Sequence, residues 1–136
     1  MNRFAELFNA LDQSTKTTAK VAALAEYFAD APELDRVWTI AMFSGRRPKR
    51  AVTTTRLREW AAERAGIPLW LFEESYPIVG DLAETIALVL PPPTRQTDHS
   101  LSHWINALRG LADSDDEARK AFVLDAWDQL PDTQRF

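Results

Sequence analysis

Apolar residues recur along the chain at spacings of three and four, without any strand-length run of strict alternation, and that period marks amphipathic helices. Phe4, Leu7, Phe8 and Leu11 form a first stripe. Val21, Leu24, Ala25 and Phe28 form a second, entered through the Ser14 to Thr18 cluster, whose hydroxyls can cap a helix start. Pro32 suits the first turn of a third helix, whose apolar residues Val37, Trp38, Ala41 and Met42 continue to the break at Ser44 and Gly45. A basic loop follows. A fourth helix is expected from Thr54 or Thr55 to Ala65, with Leu57, Trp60 and Ala61 inward and Gly66 as its stop. Pro68 opens a fifth, Leu69 to Tyr76, expected to break at Pro77 because proline cannot donate the helical hydrogen bond; Gly80 marks the same break. Asp81 can cap a sixth helix carrying Leu82, Ile86 and Val89, which Pro91, Pro92 and Pro93 end. Leu101, Trp104, Ile105, Leu108 and Leu111 describe a seventh. Ser114 with Glu117 reads as a capping box for an eighth, with Phe122, Val123, Trp127 and Leu130 inward.

The sum is an all-α, compact multi-helix domain of about eight helices. Its 136 residues fit a single domain, 1–136, with one core. Hydrophobic residues at 46% and charged residues at 26% exclude wholesale disorder. No apolar run approaches the roughly 20 residues that span a bilayer, and Met1 to Ala10 lack the pattern of a signal peptide. A soluble, cytoplasmic protein with no membrane partner is expected. The absence of cysteine rules out disulfides, thiolate metal sites, iron–sulfur clusters and a cysteine nucleophile. Pro131 and Asp132 look like the start of another helix in a chain whose last residue is Phe136, so a piece of a longer protein is expected.

The net charge of −4 hides an uneven distribution. Between Ser44 and Arg64 seven basic residues face two acidic ones, a local net of +5, leaving nine basic against eighteen acidic elsewhere, a net of −9. A field this uneven can present one positive surface to a polyanion whatever the average. The strongest local signal is Gly45-Arg46-Arg47-Pro48-Lys49-Arg50. Its four cations lie between two helices, where a loop can follow a phosphate backbone, although the same residues also read as a solvated basic turn. Thr53, Thr54 and Thr55 add hydroxyls and open amides at the next helix start, where the helix dipole favours an anion. Ser14-Thr15-Lys16-Thr17-Thr18-Ala19-Lys20 repeats that chemistry, with a plain cap as the competing reading. Gly80-Asp81-Leu82 offers amides at a third start, but Asp81 repels phosphate unless its side chain turns back into its own cap.

Other constellations point to packing or solvated surface. His99 and His103 share one face of a helix but lack a third metal ligand at suitable spacing. Adjacent pairs such as Glu73 and Glu74, or Asp115 and Asp116, point to different sides of a helix. The five tryptophans mostly fall on apolar stripes, Trp70 least clearly. No phosphate loop, dinucleotide fingerprint or serine elbow is present. None of Lys16, Lys20, Lys49 and Lys120 opens the aspartate-glycine motif of a nucleotidyltransferase. No catalytic residue and no metal site is expected.

The order of features resembles the N-terminal helical DNA-binding domain of ATP-dependent DNA ligases. The resemblance is carried by the first helix, the Ser/Thr-Lys helix start, the basic loop and Gly80-Asp81-Leu82-Ala83-Glu84-Thr85-Ile86-Ala87. Arg58-Glu59-Trp60-Ala61-Ala62 and Leu71-Phe72-Glu73-Glu74-Ser75-Tyr76 look particularly like the bacterial ligases of this type. Family members often have glycine where this chain has Ala83. The resemblance implies a domain that grips duplex DNA around a nick, through the minor groove and phosphates, while nucleotidyltransferase and oligonucleotide-binding domains of the same parent chain follow it. ATP and Mg2+ are then cofactors of the parent enzyme, with none in this domain, which is not expected to ligate alone. It also implies Arg95 as a further DNA contact.

The expected function is sequence-independent binding of nicked duplex DNA in replication, repair or recombination, with a nucleoid-associated cytoplasmic location through the DNA. The residues assigned to DNA are Thr15, Lys16, Thr17, Lys20, Arg46, Arg47, Lys49, Arg50, Thr54, Gly80 and Arg95. Two other classes stay open. A helical protein–protein interaction module predicts no DNA dependence, and a helical transcription regulator needs a recognition helix, for which the helix from Thr54 with Arg56 and Arg58 is the candidate.

Overall fold

The computed structural model describes residues 1–46, 49–131 and 134. Eight α-helices and one 3-10 turn, and no strand, occur among these residues: α1 (Asn2–Gln13), α2 (Thr17–Asp30), α3 (Glu33–Phe43), α4 (Thr54–Ala65), α5 (Leu69–Val79), α6 (Leu82–Val89), α7 (Leu101–Gly110), the turn Leu111–Asp113, and α8 (Asp116–Gln129). The fold is all-α, as the periodicity predicts. The further helix start read at Pro131 and Asp132 involves Asp132, which lies outside the described residues. Where the length predicts one core, the buried apolar residues gather in two clusters. The chain divides accordingly into two compact units, Met1–Lys49 with Asp98–Arg109, and Arg50–Thr97 with Gly110–Phe136.

In the first unit α1 packs on α2 through Leu7, Tyr27 and Ala31, with Phe4, Leu11, Leu24 and Phe28 around them. Phe4 meets Tyr27 edge-on at 6.5 Å and stacks on Phe43 at 6.0 Å. The buried stripe of α2 centres on Tyr27, which leaves Val21, roughly 120° around the helix from it, exposed. Val37 likewise faces outward. The buried face of α3 is polar: the Thr39 hydroxyl donates to the Asp35 carbonyl at 2.7 Å and accepts from the Tyr27 hydroxyl at 2.8 Å. The Asp35 carboxylate, 6% exposed, accepts the backbone N–H groups of Leu101 at 3.3 Å and Ser102 at 2.9 Å. A side chain of α3 thus closes the N-terminus of α7 with charge of the favourable sign. Ser100 adds a local cap, its hydroxyl accepting from the His103 amide at 3.1 Å.

In the second unit α4 packs against α5, α6 and α8. Trp60, Ala61, Phe72, Ile86, Leu90, Val123 and Trp127 form the buried cluster, with Phe72 and Ala61 fully enclosed. Three helix starts are closed by their own side chains: Thr53 accepts from the Arg56 amide, Asp81 from the Glu84 amide and Asp115 from the Ala118 amide. The last corrects the expected capping box at Ser114 and Glu117. The Ser114 amide instead closes the preceding 3-10 turn on Leu111 at 3.0 Å, which moves the cap one residue along. Helix α5 also runs past the break expected at Pro77. Pro77 lies in the last turn, where its missing N–H removes one bond and its exposed ring meets solvent. Gly80, in the left-handed region at φ 87°, then ends the helix, its amide donating to the Tyr76 carbonyl at 2.8 Å.

Candidate nucleic-acid interface

The basic loop begins at a glycine-closed helix end. At the end of α3 the Gly45 amide donates to the Met42 carbonyl at 3.2 Å and the Arg46 amide to the Ala41 carbonyl at 2.8 Å. This is a Schellman closure with Gly45 at φ 85°. The space around its Cα is open, so the backbone angle and not a neighbour selects glycine there. The helix carbonyls are satisfied internally, and Arg46 leaves the helix exposed. Lys49 and Arg50 are exposed too, and Arg47 lies outside the described residues.

Ion pairing separates the six described cations of the Ser44 to Arg64 segment into two groups. Arg56 is held by Glu59 and Asp116, each at 3.1 Å. Arg58 is held by Glu73 at 3.3 Å and lies 5.1 Å over the Tyr76 ring. Arg64 reaches Asp128 at 3.9 Å. Among the described residues, Arg46, Lys49 and Arg50 make no ion pair. The charge count along the sequence therefore overstates the open positive charge, because three of its arginines meet carboxylates supplied by other helices. What remains uncompensated among the described residues is Arg46, Lys49 and Arg50.

At the start of α2, Thr15, Lys16, Thr17 and Lys20 are all exposed. The capping expected from this hydroxyl cluster is absent: Lys16 occupies the cap position, and no side chain caps the first amides. Its first turn holds no acidic residue, so the positive end of the helix dipole faces solvent beside two lysines. Arg36 on α3 is also exposed, with no ion pair among the described residues. In the sequence it is hidden, because Glu33 and Asp35 precede it and make the window look acidic; Asp35, however, turns inward to α7.

The remaining candidates sit in the second unit and are more constrained. Thr54 is half-buried in the first turn of α4, whose cap is Thr53. Gly80 is exposed, but its own amide is taken by Tyr76, and Asp81 turns its carboxylate back onto the Glu84 amide at 2.8 Å. Arg95 is clamped onto α8 by the carboxylate of Asp125 and by Asp128 at 3.3 Å. The bond to Asp125 chiefly raises the affinity of this guanidinium for its proton. Asp128 also accepts the Thr94 hydroxyl at 2.5 Å and the Thr94 amide at 3.0 Å, and these bonds hold its carboxyl below the usual range. His99 and His103 stack with centroids 3.9 Å apart. No helix among the described residues is long and apolar enough to cross a membrane.

A set of short helices, strand-free among the described residues and carrying an open cationic loop, describes a helical module with a surface suited to an anionic partner. The family model described as DNA ligase N terminus matches residues 1–134, and the chain belongs to that family, the N-terminal domain of ATP-dependent DNA ligases. No curated protein and no solved structure matches the chain.

Proposed function

We propose that this domain binds duplex DNA around a nick without regard to sequence and positions the nick for the catalytic domain of its parent ligase, in replication, repair or recombination. The observation that carries the reading is the loop: Arg46, Lys49 and Arg50 are exposed and lack carboxylate partners among the described residues, in a chain of the DNA ligase N terminus family. Arg47 belongs to the same loop. Cations without internal partners release counterions from DNA at no loss of a protein ion pair, which favours phosphate contact. The open α2 start, with Thr15, Lys16, Thr17 and Lys20, is the second anchor, since free amides and a helix dipole suit a phosphate oxygen. Thr54 and Gly80 contribute at the margin, through a hydroxyl and through close approach of backbone. Arg95 contributes only by exchanging its carboxylates for a phosphate.

The regulator reading is disfavoured because Arg56 and Arg58, the cations of its recognition helix, are engaged by Glu59, Asp116 and Glu73. ATP and Mg2+ belong, in this proposal, to the catalytic domain of the parent. None of the four lysines here opens an adenylation motif, and among the described residues no group of three or more metal-ligating side chains is placed to hold an ion.

The test is fluorescence-anisotropy binding to nicked and intact duplexes of unrelated sequence at low and moderate salt. Salt-sensitive binding that ignores sequence is expected, and preference for the nick places nick sensing in this domain. Replacing Arg46, Lys49 and Arg50 together with alanine is expected to weaken binding and to lower the log–log salt slope by about 0.9 for each phosphate no longer neutralised, with the melting temperature unchanged. Undiminished binding by the folded variant, or no binding by the parent domain at low salt, overturns the proposal.

A further inference from the structure

One face of α5 is left over by the fold and by the DNA reading. Its inward side is fixed by Phe72, which is fully buried. On the opposite side Trp70, Leu71, Glu74, Pro77 and Ile78 are all turned away from that core, with Trp70, Leu71 and Ile78 exposed, at spacings that put them on a single stripe. Trp70 is 65% and Ile78 86% exposed, two anchors about 12 Å apart along the axis. A helix apolar on both sides is ordinarily enclosed, and an apolar stripe in water marks a contact surface.

The charge around the stripe selects the partner. From residue 65 to residue 94 the chain has no Lys, Arg or His, and it carries Glu73, Glu74, Asp81 and Glu84. Of these, Glu73 is paired with an arginine, Arg58. Asp81 turns its carboxylate into its own cap, so Glu74 is the charge carried by the stripe itself, and it disfavours a phosphate backbone or an anionic membrane there. A second copy is disfavoured as well: Glu74 is the midpoint of α5, so a two-fold pairing of these stripes brings the two Glu74 carboxylates together. The requirement left is an apolar ridge with positive flanks.

We infer that the outer face of α5 is a docking site for an amphipathic helix of another protein, apolar along one side and edged with lysine or arginine. Trp70 and Ile78 are its apolar anchors, and Glu74 between them sets the charge preference, in the manner of helix-on-helix recognition.

The probes are two synthetic amphipathic peptides that share a leucine face, one edged with lysine and one with glutamate, titrated into the chain and followed by backbone amide NMR. The lysine peptide is expected to bind with shifts confined to α5 and to weaken as salt rises. Trp70→Ala with Ile78→Ser is expected to weaken it roughly tenfold, while duplex binding and the melting profile stay as they were. Glu74→Lys is expected to reverse the preference toward the glutamate peptide, a change that loss of fold alone does not produce. Equal binding of both peptides, no binding of either, shifts at Trp70, Leu71 and Glu74 on adding duplex DNA, or self-association that Ile78→Ser abolishes each overturns the inference.

Discussion

Asp35 shows how one residue can decide whether a helix has a place to end. Its carboxylate is buried, forms no ion pair among the described residues, and accepts the first two amides of α7. Replacing it with alanine leaves those amides buried without an acceptor, while asparagine keeps one acceptor oxygen and loses the charge. Asp35→Ala is expected to lower stability by about 2 kcal/mol and Asp35→Asn by less, from the cost of a missing cap with an unsatisfied amide; urea unfolding checks both. The sequence carries no sign of this bond, because 67 positions separate Asp35 from Ser102 and the residue reads as one more solvated acid near a helix start. Lys16 shows the opposite failure. Hydroxyls surround it, a cap is the natural reading, and none forms.

Among the elements, the loop from Pro91 to Thr97 is tied to α8 by polar contacts of Thr94 and Arg95. Asp128 binds the Thr94 amide and hydroxyl together with the Arg95 guanidinium, and its carboxyl is held below the usual range mainly by the Thr94 bonds. A depressed carboxyl stabilises the fold above its unfolded value, about 3.9, and that contribution is lost as pH falls through the lower native value. In an acid titration the Thr94 amide resonance is expected to keep its bonded position through the ordinary carboxylate range and to move only below it. Movement that begins near the ordinary value counts against the clamp. Helix positions are legible in the sequence wherever proline, glycine or a capping acid punctuates the stripes, as at Gly66 and at Asp81. They are misread where a single signal is taken alone. Pro77 does not end α5 because the turn around it is exposed, and Gly80 ends the helix three residues later. The candidate site is legible as charge, not as pairing: Arg46 and Arg56 look alike in sequence, and only the fold brings Asp116 to Arg56.

For the whole molecule, neither compact unit is one continuous stretch of chain. The first takes residues 98–109 from beyond the body of the second, so no single cut separates them. A chain truncated after Thr97 lacks α7 and strips Asp35 of both amides it caps. It is expected to lose cooperative melting in residues 1–49, seen as early hydrogen exchange at Tyr27 and Thr39, more severely than Asp35→Ala in the full chain; protection equal to that of the full chain counts against residues 98–109 completing the first unit. The same spacing sets a delay during synthesis. A ribosome adding roughly 5–20 residues each second needs roughly 3 to 13 s to pass from Asp35 to Ser102. Through that interval α1, α2 and α3 have been made while the amides that Asp35 caps have not, so α1 and α2 can pair early whereas the buried acid of α3 waits for its partners.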